Sequence, residues 1–187
     1  MAQASTTLAE LSSDPFALLQ EIERLSSRVA AGRGLEVGVE TEWVGIAYQI
    51  GDFQFVTRRD EVREILTLPP VRRVPGAKAW IKGLANVRGQ LLPIIDSQMF
   101  FGGEETMAGR GTRVLWVNSS EIPAGLIVDE VRGFRRFTDE EKTDALQSFD
   151  PSYKPFLQGG YQRGEELWNV LALKALIESQ VFLQAAE

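Results

Sequence analysis

The 187-residue sequence contains no cysteine and no histidine. The absence of cysteine excludes disulfide bonds, thiolate zinc sites and cysteine nucleophiles. The absence of histidine removes the most common general base, the most common transition-metal ligand and any phospho-accepting imidazole. Catalysis would therefore have to depend on carboxylates, on a Ser–Lys pair or on tyrosine, and an acid–base hydrolase stays open only because carboxylates are scattered throughout.

The chain also lacks a long basic run and a long apolar run. Its formal net charge is −6, and arginines occur as isolated pairs at 58–59, 72–73 and 135–136. This distribution predicts that the chain binds neither nucleic acid nor an anionic membrane surface. No apolar run approaches membrane-spanning length and the N-terminus lacks the layout of a signal peptide, so we expect a cytoplasmic protein with no membrane insertion.

The first forty residues have the pattern of an appendage with one helix. Asp14 and Pro15 are typical of a helix N-cap and first turn. Apolar residues then recur at helical spacings, at Leu18, Ile22, Leu25 and Val29. This stripe predicts an amphipathic helix over about 15–31, which could pack on its own domain or dock on a partner. We therefore predict an N-terminal extension over 1–40 and a folded domain over 41–187.

From residue 42 onwards the pattern changes to alternation between apolar and polar residues, which predicts strands. Short strands are predicted at 43–50, 53–56, 84–96 (a hairpin), 134–137 and 168–171. Further strands are predicted at 113–118 and 125–131, which are strongly β-branched and apolar as core strands should be. Many short strands with frequent turns are typical of small barrels, so the predicted fold class is mainly β. A C-terminal helix is predicted from the spacing of Leu173, Leu176, Ile177 and Val181. Residues 138–158 have no clear period and are expected to form a surface excursion.

Three local patterns are candidates for ligand sites. Asp129 and Glu130 follow an apolar strand, as in the magnesium site of receiver domains, but the helices of that fold are missing and a polar turn is the better interpretation. Gly83 and Gly89 are not followed by the Gly-Lys-Ser/Thr of a phosphate loop. The four tryptophans are expected to pack in the core, and Trp80, beside the hairpin, is the one candidate for a ligand contact.

The hairpin carries an arginine at the tip of its turn. Gly89 is expected to supply the positive φ that such a turn requires. The turn itself does not require Arg88, and a planar guanidinium is well suited to bidentate contacts at an interface. A solvated surface charge, or a contact with one of the protein's own carboxylates, is an equally good interpretation of Arg88.

The sequence Trp-Ile-Lys-Gly-Leu-Ala-Asn-Val-Arg-Gly at 80–89, continued to residue 96 and preceded by Val-Pro-Gly at 74–76, resembles the signature of the CheW family. Supporting segments are 62–65 and 124–131, and the pattern covers nearly all of residues 42–183. CheW proteins are adaptors that couple chemoreceptors to a histidine kinase in bacterial chemosensory arrays. The resemblance implies two intertwined SH3-like five-stranded β-barrels, and a non-catalytic protein that needs no cofactor.

The resemblance also implies partners and a location. One partner is the regulatory domain of a CheA-type histidine kinase, and the other is the cytoplasmic hairpin tip of a methyl-accepting chemoreceptor, at receptor arrays on the inner face of the membrane. The partner-binding residues that it implies are Val62, Glu64, Gly83, Asn86, Arg88 and Gly89. The first two would lie near the receptor or kinase contact, and the other four would shape and present the turn.

Weaker similarities indicate a branch of the family. The Pro-Phe helix start at 15–16, the Phe-Phe-Gly loop at 100–102 and the segment 155–159 resemble the adaptors that control type IV pili and twitching motility. A scaffold of the pilus machinery that contacts no kinase, and a flagellar-type chemotaxis adaptor, stay open as alternatives. Segment 55–60 is more charged than is usual in the family, which leaves the lining of the partner groove and the identity of the receptor open.

Overall fold

The computed structural model describes residues 43–144 and 152–185. Those residues form eleven strands and three short α-helices, so the predicted mainly-β class is confirmed. The strands are β1 (Trp43–Ile50), β2 (Phe53–Arg58), β3 (Val62–Thr67), β4 (Ile81–Val87), β5 (Gln90–Asp96), β6 (Arg113–Val117), β7 (Gly125–Val128), β8 (Glu130–Phe137), β9 (Lys142–Thr143), β10 (Leu157–Arg163) and β11 (Glu166–Leu171). The helices are α1 (Ser97–Phe100), α2 (Leu173–Ile177) and α3 (Gln180–Leu183). The helix predicted over about 15–31 and the boundary at 40–41 lie outside the described residues.

Two sheets form two barrels that share one chain in an interleaved order. The first barrel has the strand order β8-β1-β2-β11-β10-β9, and the second has the order β3-β6-β7-β5-β4. The chain begins the first barrel with β1 and β2, builds the whole second barrel, and then returns to complete the first. The predicted pair of intertwined SH3-like barrels is confirmed, with the two-residue β9 as a sixth strand of the first barrel.

The return to the first barrel takes place at Asp129. This residue lies between β7 of the second barrel and β8 of the first. Its carboxylate accepts hydrogen bonds from the Gly51 N–H at 2.7 Å and from Gln98 Nε2 at 3.0 and 2.9 Å. The single strand predicted over 125–131 is therefore divided, because a β-branched, apolar composition does not reveal a change of partner strand. The interpretation of Asp129 and Glu130 as a polar turn between strands is confirmed for Asp129, whereas Glu130 is already the first residue of β8.

Aromatic rings fill the seam between the barrels. The rings of Phe101 and Tyr153 stack with centroids 3.8 Å apart, and Tyr153 also stacks on Phe55 at 5.6 Å. Tyr153 and Phe156 are both buried. The expectation that residues 138–158 form a purely surface excursion was therefore wrong at its C-terminal end. An aperiodic segment can still return two aromatic rings to the core, because burial of a loop follows no period.

The C-terminal residues form two helices, where a single helix was predicted. Ser179 separates α2 from α3, and its Oγ accepts a hydrogen bond from the Phe182 N–H at 3.2 Å as an N-cap. The new helix starts out of phase with the first, so that Phe182 is buried and Val181 is 64% exposed. The predicted single helix that included Val181 was therefore wrong, because the chain begins a second helix after Ser179. Phe182 packs with Phe100 and with the half-buried ring of Trp80, so that this tryptophan contributes to the seam.

Candidate partner-binding site

The turn between β4 and β5 has two central residues, Arg88 and Gly89, enclosed by the Val87–Gln90 pair. Their φ angles are 53° and 81°, so both have the positive φ of a type I′ turn. The Asn86 side chain supports the turn, because its Oδ1 accepts a hydrogen bond from the Gly89 N–H at 3.0 Å. The positive φ predicted at Gly89 is confirmed. The positive φ at Arg88 was not foreseen, because turns of this type usually have asparagine or glycine there.

Replacing Arg88 with asparagine is expected to raise the free energy of unfolding by about 0.5 kcal/mol. Left-handed backbone costs an ordinary residue roughly 1–2 kcal/mol, and asparagine tolerates it better, whereas the exposed ion pair that is lost contributes less than about 1 kcal/mol. Urea denaturation would measure the change, with Arg110→Asn as a control at an exposed arginine that has no positive φ. A loss of stability in Arg88→Asn alone would show that the ion pair with Glu64 contributes more than the left-handed backbone of Arg88 costs.

The turn lies next to the β3 edge of the second barrel. Arg88 Nη2 forms an ion pair with Glu64 Oε1 at 2.6 Å, and the arginine side chain remains 74% exposed. Strands β3 and β4 are the two edge strands of this sheet. Glu64 lies on β3 and Arg88 directly follows β4, so their contact links the two edges of the sheet. Arg88 thus contacts one of the protein's own carboxylates and still presents its guanidinium to solvent.

Gly83 has a different position from the other predicted site residues. It is buried, with φ at 137°, and a side chain there would collide with the carbonyl oxygen of Arg72. Two backbone hydrogen bonds of 2.8 Å join Arg72 to Leu84 beside it. Gly83 therefore allows the segment before β4 to lie against that strand, and it shapes the surface without forming part of it.

A shallow groove of about 460 Å³ lies between β3 of the second barrel and β8 of the first. Its lining residues are Ile46, Arg59, Asp60, Val62, Arg63, Glu64, Ile65, Asn118 and Phe134. Phe134 is 61% exposed and Ile65 is 36% exposed, which are high values for large apolar side chains. Exposed apolar side chains gathered in one groove are typical of an interaction surface. The structure thus places the predicted residues Val62 and Glu64 in this groove.

Phe134 was not predicted as a site residue, although the sequence contains a signal for it. Strand β8 exposes every second residue, and the other exposed positions are Glu130, Arg132 and Arg136. An apolar phenylalanine is unexpected in this outward-facing row, because the other exposed side chains are charged. Phe134 can be recognised as an exposed apolar residue only when the exposed face of β8 is known, because alternation alone does not tell which face is buried.

Asn86 lines a separate cavity on the second barrel. That cavity is also lined by Leu91 and Val74, and it shares no residue with the groove. Within the described ranges, no group of acidic side chains is placed to hold a metal ion, and no helix is long and apolar enough to cross a bilayer. The predicted site residues thus divide among the groove, the exposed turn and the buried Gly83.

Comparison with known proteins identifies the family. A family model described as the CheW-like domain matches residues 45–181. Protein PilI of Pseudomonas aeruginosa is 39% identical over 172 residues, which are 92% of this chain and 96% of that protein. The chain belongs to the CheW-like family. The family model spans both barrels, and the similarity to PilI also includes residues before position 45, which lie outside that model.

Other members of the CheW-like family are more distant. The chemotaxis protein CheW of Klebsiella aerogenes is 24% identical, over 72% of this chain and 81% of that protein. The crystal structure of the scaffolding protein TtCheW from Thermoanaerobacter tengcongensis superposes with a TM-score of 0.64 at 20% identity, covering 74% of this chain and 94% of that one. At this identity the structural similarity shows that the CheW-like fold is shared, and nothing more.

Proposed function

We propose that this CheW-like protein is a non-catalytic adaptor that couples a chemoreceptor to a CheA-type histidine kinase. It acts at receptor arrays on the inner face of the membrane, in a system that controls type IV pili and twitching motility. The observation that carries the proposal is the groove between β3 and β8, with the exposed side chains of Phe134 and Ile65. The groove receives the receptor's hairpin tip.

The chemistry of the groove favours a helical partner. An amphipathic helix can lay its apolar face into a groove of this kind. Complete burial of a fully exposed phenylalanine side chain contributes about 1.5–3 kcal/mol. Phe134 is 61% exposed, so a partner that covers it gains more than half of that amount. Arg88 is the polar neighbour of this surface, because the Glu64 that pairs with it also lines the groove. Its guanidinium is held in place by that pair, with hydrogen-bond donors left for a partner.

The position of the groove supports a coupling role. One wall belongs to the second barrel and the other to the first, so a helix that binds there contacts both barrels at once. A shift of this helix changes its contacts with both walls of the groove. The regulatory domain of the kinase, bound to another part of the surface, responds to that change. Coupling of this kind is typically about 1–3 kcal/mol, and the avidity of an array adds to it.

The pilus system is proposed from the extent of one similarity. PilI matches over 92% of the chain, including residues before the family domain, whereas the chemotaxis protein CheW of Klebsiella aerogenes matches over 72%. The similarity to PilI therefore extends to the segment that the sequence predicts as an appendage. A flagellar-type adaptor and a pilus scaffold without a kinase partner are the alternatives that binding experiments have to exclude.

Replacing Phe134 with alanine is expected to weaken binding of a receptor hairpin tip roughly tenfold or more, because exposed aromatic anchors dominate such interfaces. Calorimetry with the purified hairpin tip and with the full-length CheA-type kinase would measure both interactions. Met107→Ala is the matched control, since Met107 is exposed and does not line the groove. Arg88→Asn is expected to weaken binding as well, in a protein that is no less stable.

Equal affinity of wild type and Phe134→Ala for the hairpin tip would remove the groove from the proposal. Binding of the kinase without the hairpin tip would contradict the coupling role. Binding of neither partner would favour the pilus scaffold. Loss of motility by swimming, with twitching intact, in cells that lack the protein would favour the flagellar-type adaptor.

A further inference from the structure

The groove contains charged residues of both signs, and its two carboxylates are already paired. Asp60 Oδ1 accepts a hydrogen bond from Arg58 Nε at 3.0 Å, and this bond holds the pKa of Asp60 below its ordinary value. Glu64 pairs with Arg88 at 2.6 Å. Neither of these two arginines lines the groove. Both acidic side chains of the lining are therefore neutralised by cations from outside it.

The two arginines of the lining have no such partner. Arg59 and Arg63 are exposed, and in the part of the chain that the structure describes neither has a carboxylate within ion-pair distance. Arg63 is held over the ring of the buried Trp116, with its guanidinium carbon 4.4 Å from the ring centroid. A stacked guanidinium keeps the donors at its edge available, and stacking reduces the entropy that it loses on binding.

The groove therefore presents two uncompensated positive charges, although the whole chain has a net charge of −6. These charges stand beside the apolar side chains of Ile65 and Phe134 in the same depression. A ligand that covers the apolar side chains of the groove places the borders of its own apolar face close to Arg59 and Arg63. The charge on those borders then decides whether the approach is favourable.

We infer that Arg59 and Arg63 make the groove selective for a helical partner whose apolar face is bordered by carboxylates. This inference rests on the proposed function, because it describes which receptor tips the adaptor accepts. Rim charges affect specificity and association rate more than they affect final affinity. They also lose effect as salt screens them, with a screening length of about 10 Å at 0.1 M ionic strength.

Two designed helical hairpins test the selectivity directly. They share one apolar face, and this face is bordered by glutamates in the first hairpin and by lysines in the second. The wild-type protein is expected to bind the glutamate hairpin at least roughly tenfold more tightly at low salt, and the preference should shrink at high salt. The double variant Arg59→Glu, Arg63→Glu should reverse the preference. Arg59→Gln with Arg63→Gln should only abolish it.

The matched control is Arg110→Glu, which changes the charge of an exposed arginine outside the groove and should keep the wild-type preference. Thermal unfolding of each variant checks that the loss of the Arg63–Trp116 stacking has not unfolded the protein. Equal binding of both hairpins by wild type, or binding of neither, would overturn the inference. A clear glutamate preference without binding of any natural receptor tip would leave the inference standing and overturn the proposed function.

Discussion

Replacement of Gly83 with alanine is expected to lower the free energy of unfolding by roughly 2–4 kcal/mol. Two effects act together at this position. The φ angle of 137° is one that side chains rarely adopt, and the added Cβ would collide with the Arg72 carbonyl oxygen. That oxygen is a backbone atom held by the hydrogen bond from the Leu84 N–H, so it cannot rotate away. Urea denaturation of both proteins would measure the loss.

Gly76→Ala is the matched control for this prediction. Gly76 has a φ of 70°, and a Cβ there would meet no atom within 4 Å. Its replacement is expected to cost roughly 1 kcal/mol, which is the cost of left-handed backbone without a collision. The difference between the two variants isolates the effect of the close backbone approach. Similar losses in both would mean that the segment carrying Arg72 moves away from β4 easily.

Replacement of Glu61 with alanine is the second change for which we expect a large loss, roughly 2–4 kcal/mol in the free energy of unfolding. Glu61 is buried in the 3₁₀ turn just before β3. Its Oε2 accepts hydrogen bonds from Thr57 Oγ1 at 2.8 Å and from the Leu173 N–H at 2.9 Å. Removing the carboxylate leaves both donors buried without a partner, because Thr57 and Leu173 are themselves fully buried.

Two milder variants separate the parts of this interaction. Glu61→Gln keeps an acceptor oxygen and is expected to cost about half as much as alanine. Thr57→Val removes one donor and leaves the bond to the Leu173 N–H, and we expect about 1 kcal/mol. Amide hydrogen exchange at Leu173 should speed up in Glu61→Ala and stay near wild type in Thr57→Val. Unchanged exchange at Leu173 in Glu61→Ala would show that the carboxylate does not hold the start of α2.

Glu61 also connects the core with the proposed partner groove. It immediately precedes Val62, the first residue of β3 and part of the groove lining. The C-terminal helix α2 thereby holds the start of one groove wall in place through a buried carboxylate. We therefore expect Glu61→Gln to fold and to bind a receptor tip, with a loss of affinity smaller than that of Phe134→Ala.

The hairpin and its turn illustrate what local patterns can predict. Strands β4 and β5, the turn at their tip and the positive φ of Gly89 were predicted from residues within a short stretch of the chain. These features depend on neighbouring φ and ψ angles, which nearby residues determine. The family was also recognisable at this stage, since its signature lies in the same segment.

Two predictions that differ from the structure have a common cause. Val181 was predicted to continue the helix that starts at Leu173, but a new helix begins after Ser179 and exposes Val181 to solvent. Tyr153 was expected on the surface, but its ring stacks in the seam between the barrels. In both cases the local period was absent or interrupted, and the packing of distant elements decided which side chain was buried.

The sequence by itself determined the mainly-β class, the family, the turn with Arg88 at its tip and the absence of cysteine and histidine chemistry. Only the tertiary structure decided that Arg88 pairs with Glu64, 24 residues away, and that Phe134 faces the same groove as Val62. The reason is physical. Periodicity reports which residues share a face of one element, whereas barrel closure and the crossing at Asp129 decide which elements become neighbours.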